Sequence, residues 1–124
     1  MARTALTPIT PPLSNGLTYY PTTPLSANSA DVVFAAGDAT NGNSVAITNG
    51  KTLIMARNTD ASAQTITIAS VADSFGRKGD ITTYSIGADE IAMFGPFQKP
   101  GWDQPGLFIN VSNVAVELLV LNVG

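Results

Sequence analysis

Of the side chains that most often carry catalysis, this 124-residue chain has neither histidine nor cysteine. The commonest general base and metal ligand is therefore missing, and so are thiol nucleophiles and the usual zinc sites. Carboxylates, hydroxyls and a few amines remain. Asp89 and Glu90 are adjacent, so on a strand they point to opposite faces and are unsuited to a shared acid/base task. They read as turn residues facing solvent. Asp73 and Asp80 close the loop DSFGRKGD, but calcium takes about six to eight oxygens. Two aspartates with Arg77 and Lys78 between them supply too few, and a solvated turn with an Asp–Arg contact is the better expectation. Gly76 and Gly79 lack the strand–loop–helix setting of a phosphate-binding loop. These residues predict no catalytic, metal or cofactor site, and a non-enzymatic role.

Charge narrows the partners. Six basic residues face nine acidic ones for a net charge of −3. Arg3, Lys51, Arg57, Arg77, Lys78 and Lys99 are scattered, which argues against a partner bound by phosphate neutralisation, so nucleic acid is not expected. Charged residues make up 12% of the chain and apolar ones 44%, against about 25% charged in an average soluble protein. Such a shortage of charge suggests surface buried in an oligomer or against a partner. A Thr/Ser/Asn-rich surface, polar without charge, is the competing reading. No stretch approaches the ~18 apolar residues of a membrane span, and the opening MARTALTP lacks the apolar run of a signal peptide. The expectation is a soluble protein made in the cytosol, with no membrane partner.

The elements that must position any contact residues fall into two parts. Residues 1–29 carry five of the eight prolines, at Pro8, Pro11, Pro12, Pro21 and Pro24, which forbid a helix or a central strand there. With interspersed threonines they read as an extended arm, able to reach up to ~100 Å at ~3.3 Å per residue. A solvated linker would not need Leu6, Ile9, Leu13, Leu17, Tyr19, Tyr20 and Leu25, so an arm that docks on a neighbouring surface is favoured. Residues 30–124 read as one β-domain. Strands are predicted over 31–36, 44–48, 52–58, 64–70, 81–86, 90–94, 107–111 and 114–123. Asn49-Gly50 signals a type I′ hairpin between the second and third of these. QTITIAS alternates cleanly, while VAVELLVLNV is apolar almost throughout, as expected for a strand covered on both faces or at an interface. About eight strands without helical periodicity predict an all-β fold, an antiparallel, jelly-roll-like β-sandwich with an N-terminal arm.

The segment from Phe94 to Phe108 concentrates large side chains on a stiff loop. It holds Phe97 and Trp102 among three prolines and three glycines. Aromatics on a rigid loop bury much area at little entropic cost. Phe97 and Trp102 therefore join Arg3 and the apolar arm residues as candidate contact groups. Trp102 folding over its own loop is equally compatible, and Phe94 and Phe108 are expected to cap the core.

The phrases MARTALTP, ARNTDASAQTITIASVADSFGRKGDITTYSI and MFGPFQKPGWDQPGLFINVS together resemble the head decoration, or cement, proteins of tailed bacteriophages. That resemblance implies a β-sandwich on the exterior of the capsid, bound to the major capsid protein. It also implies a homotrimer at local three-fold positions that stabilises the expanded shell, assembled in the host cytoplasm. It supplies no catalytic residues and no cofactor. The alternative is a carbohydrate- or receptor-binding module of a phage tail, in which Trp102 with Tyr84 would form a stacking platform.

Overall fold

The computed structural model describes residues 2–10 and 31–123. In chain order its strands are β1 (Thr4–Leu6), β2 (Ala35–Ala36), β3 (Asn43–Val45), β4 (Thr52–Asn58), β5 (Gln64–Ala69), β6 (Ile81–Ile86), β7 (Ile91–Phe97), β8 (Leu107–Val111) and β9 (Val116–Asn122). Alternation sets which residues turn inward. Ile66 and Ile68 from β5, Leu107 and Ile109 from β8, and Ile54 and Ala56 from β4 are all fully buried. Each large aliphatic side chain so buried contributes about 1.5–3 kcal/mol.

Pairing is nested. β5 pairs with β6, β4 with β7, β3 with β8 and β2 with β9, all antiparallel. The chain from β2 to β9 is thus one long hairpin whose tip is the β5–β6 loop, bent so that its rungs fall into two layers. The sheets have the orders β1-β3-β8-β5-β6 and β2-β9-β4-β7. The turn spacing leads one to expect a β-sandwich, and this is one; without β1 its strand order, which the sequence leaves open, is that of a jelly roll. The ninth strand comes from the N-terminal segment, where β1 adds to β3 in parallel.

Two local expectations are corrected. Asn49-Gly50 does turn the chain, with Lys51 N–H donating to Thr48 O at 2.9 Å, but Gly50 alone takes positive φ, at 73°. The turn is not type I′, and β3 and β4 enter different sheets. β4 already has β9 on one side and β7 on the other, so β3 has no edge of it to join. The strand predicted over 31–36 shrinks to Ala35–Ala36. Beyond that point the edge of β9 is occupied by Ile9, which bridges Leu121 in parallel.

The interior also holds polar side chains, all satisfied. Asn58 is fully buried. Its amide donates to Ser62 O and Ile86 O at 2.9 Å and to Gly87 O at 3.2 Å, while its Oδ1 accepts from Asp60 N–H at 2.9 Å. These bonds tie the end of β4 to the β6–β7 connection. Asn58→Ala should therefore destabilise the fold by about 2–4 kcal/mol, because carbonyls and an N–H are left unpaired. A lowered urea midpoint at unchanged m-value is the expected result.

Candidate assembly surface

The two sheets present opposite chemistries to the outside. On the sheet containing β5, the outward positions are Ser44, Thr65, Thr67, Ala69, Ser85 and Asn110, largely small and polar. Phe108 lies among them, covered by the Arg3 guanidinium at 4.2 Å from its ring centroid. On the sheet containing β9, strands β4, β7 and β9 turn Leu53, Met55, Ile91, Met93 and Leu121 outward, with Leu119 at an outward position but covered, at 5% exposure. The register places Met93, Met55 and Leu119 side by side in one row. Ile91 and Met93 are 55% and 60% exposed. Among the described residues the charged groups on this face are Arg57 and Glu117, register neighbours joined by an ion pair. The Arg57 guanidinium also stacks on Phe34 at 4.3 Å. The pair neutralises itself, so this face offers another protein apolar contact area with little charge to desolvate.

The N-terminal segment closes one side of the sandwich. β1 extends the edge of β3, and Ile9 then crosses to the other sheet. There Ile9 N–H donates to Val120 O, and Asn122 N–H donates to Ile9 O, both at 2.8 Å. Arg3 anchors the start of the segment. Its guanidinium donates to Asn43 O at 3.2 Å, Ile109 O at 3.3 Å and Asn110 Oδ1 at 3.0 Å. Gly42 leaves room for it, since a methyl group there would lie 2.5 Å from Asn110 Oδ1 and nearer still to Arg3. Thr4 Oγ1 donates to Asp38 at 2.6 Å, and the Asn43 amide donates to Thr4 O at 3.2 Å. Leu6 packs against the core cluster.

The structure therefore places Arg3, Leu6 and Ile9 against the chain's own β-domain, Leu6 on its core. Leu13, Leu17, Tyr19, Tyr20 and Leu25 lie outside the described residues. Phe97 is corrected from contact group to core, at 3% exposure, because it occupies an inward position at the end of β7. Trp102 folds over its own loop, meeting Phe97 edge-on with ring centroids 4.9 Å apart. Phe94 packs against the core as expected, and Tyr84 meets it edge-on at 5.4 Å. Tyr84 and Trp102 are thus each engaged with a different phenylalanine. Phe108 does not cap the core. It alternates with buried Leu107 and Ile109 and so faces outward beneath Arg3.

The carboxylates serve as loop braces. Asp73 accepts from the Phe75 and Arg77 N–H groups and from Arg77 Nε, and Asp80 accepts from Ser70 N–H and Oγ. Glu90 accepts from Gly87 N–H. Among the described residues no three metal-ligating side chains converge. The sequence pointed to the loop aspartates and aromatics but missed the outer face of β4, β7 and β9. A signal was present: TLIMARN and VELLVLN carry large apolar residues at both parities, whereas QTITIA does so at one.

Asp38 links acidity to the N-terminal segment. The Asn41 N–H, then the Thr4 hydroxyl and the Thr40 N–H, hold its carboxyl below the ordinary value of 3.8. A carboxyl depressed on folding adds stability that is complete above its unfolded value and is lost as pH falls through the folded one. Amide protection at Thr4, corrected for intrinsic exchange, should therefore hold at neutral pH and decline below pH 3.8. Asp38→Asn should remove most of that decline. Arg3→Ala should make residues 2–10 protease-sensitive at neutral pH with the urea midpoint changed by less than about 1 kcal/mol equivalent, since the bonds lost are exposed or half-buried. Comparison with known proteins found no matching family model, no matching curated protein and no matching solved structure.

Proposed function

We propose that this chain is a non-catalytic structural protein of a phage virion, which binds the outer surface of the capsid and stabilises the shell. The observation that carries the assembly role is the contrast between the two outer faces. A face bearing Leu53, Met55, Ile91 and Met93, with its one ion pair internally neutralised, suits burial against protein. A face of serines, threonines and asparagine suits water. The low charge of the chain supports the same reading, because a domain seated on a shell needs less charged surface than one free in solution. The choice of a capsid as partner, and of three copies around a local three-fold position, comes from the resemblance of the sequence to decoration proteins. Three copies acting together would turn weak single attachments into stable ones, since each attachment after the first is effectively intramolecular.

Shells assembled without the protein should be less resistant to heat and osmotic shock, and adding it back should restore them. Equal resistance with and without it would end the proposal. Met93→Asp should weaken shell binding at least tenfold, about 1.4 kcal/mol, at unchanged thermal midpoint. Thr67→Asp on the opposite sheet should leave binding unaltered. If both substitutions weakened binding equally, the apolar face would not be the seat.

A further inference from the structure

Among the described residues, the groups that hold residues 2–10 are far away in sequence. β1 is in register with Asn43–Val45, and Arg3 and Thr4 bond to residues 38–43 and 109–110. Ile9 bonds to Val120 and Asn122. Contacts of this long-range kind are identical whether the groove that receives the segment belongs to its own chain or to a second copy.

The stretch of sequence between the two described parts is long. Twenty residues, 11–30, join Thr10 to Asp31. Ile9 and Val33 nevertheless line the same cleft of about 260 Å³ beside β9, so the two ends of that stretch meet the domain on one side. Twenty residues can reach up to ~66 Å at ~3.3 Å each, about twice the diameter of a 100-residue domain. That length is enough to carry residues 2–10 into the groove of an adjacent copy.

We propose that residues 2–10 are an exchangeable strand, and that the groove formed by β3 and the free edge of β9 accepts the same segment from a second copy of this chain. The proposal rests on the assembly role for the crowding that brings copies together, and it specifies how copies join each other rather than how they meet a shell. A tether of about twenty residues sets an effective concentration for its own segment on the order of millimolar. A dilute chain therefore closes on itself, and exchange sets in when copies reach that density.

The chain's lack of cysteine makes the test direct. Ala5 and Ser44 are register partners across β1 and β3, and neither is buried. Chains carrying Ala5→Cys alone and Ser44→Cys alone are mixed, with no shell present, at about 1 mM and at about 1 µM, then oxidised and mapped by mass spectrometry. Exchange yields a disulfide between position 5 of one chain and position 44 of the other at the high concentration, fading at the low one. The doubly substituted chain should close the same bond within itself at the low concentration. Absence of the mixed bond at the high concentration overturns the proposal. Failure of the doubly substituted chain to close also overturns it, because the docked register would then be wrong. Shell binding lost while the mixed bond still forms would count against the virion reading alone.

Discussion

Seven consecutive register pairs between β4 and β9, from Thr52–Asn122 to Asn58–Val116, set the parity on which the rest of the molecule depends. The ladder joins segments about sixty residues apart and fixes which half of two apolar strands faces the core. Val116, Leu118 and Val120 go in with Ile54 and Ala56; Leu119 and Leu121 go out with Leu53 and Met55. Shifting the ladder by one residue would invert one strand relative to the other. It would put either Arg57 or Glu117 into the core without its partner, and a buried unpaired charge is strongly destabilising. The charged pair therefore pins the register as well as neutralising the outer face.

The other sheet shows the complementary solution. Its middle strands β5 and β8 alternate between buried aliphatic residues and outward ones that, apart from Phe108 beneath Arg3, are small or polar, so a single parity satisfies both core and water. Gln64, Thr65 and Ser112 illustrate how its surface is finished: Ser112 Oγ accepts from Thr65 N–H and donates to Gln64 Oε1, each at 2.8 Å. Hydroxyls that bond one another and the backbone make a polar exterior without charge. The chain's thin supply of Lys, Arg, Asp and Glu is thus compatible with one wet face and one dry one.

Much of this was legible before any coordinates. The alternation of QTITIAS marked a strand with one side on the core, and the absence of helical spacing marked the fold class. Turn dipeptides were a weaker guide. Asn49-Gly50 encodes a reversal, but whether the reversal stays within a sheet depends on whether the next strand has a free edge. For β4 that depends on β7 and β9, far along the chain. The dry face was hidden for a related reason: an apolar residue at either parity looks like core until the register is known. The docking of Arg3, Thr4 and Ile9 was invisible because a parallel pairing has no turn to announce it, and because the prolines nearby argued for an arm that leaves the domain.

Nested pairing also bears on synthesis. β9 is translated after every other strand, yet the sheet β2-β9-β4-β7 has it at its centre, and the final bonds of Ile9 are to Val120 and Asn122. Until those residues leave the ribosome, β2 has no neighbour, β4 has one bare edge, and residues 2–10 have only half their seat. Non-local ladders of this kind form slowly. A chain made on a crowded message therefore spends its first moments with residues 2–10 only partly seated, beside sister chains in the same condition. The order of translation itself gives copies an opportunity to meet before each has closed.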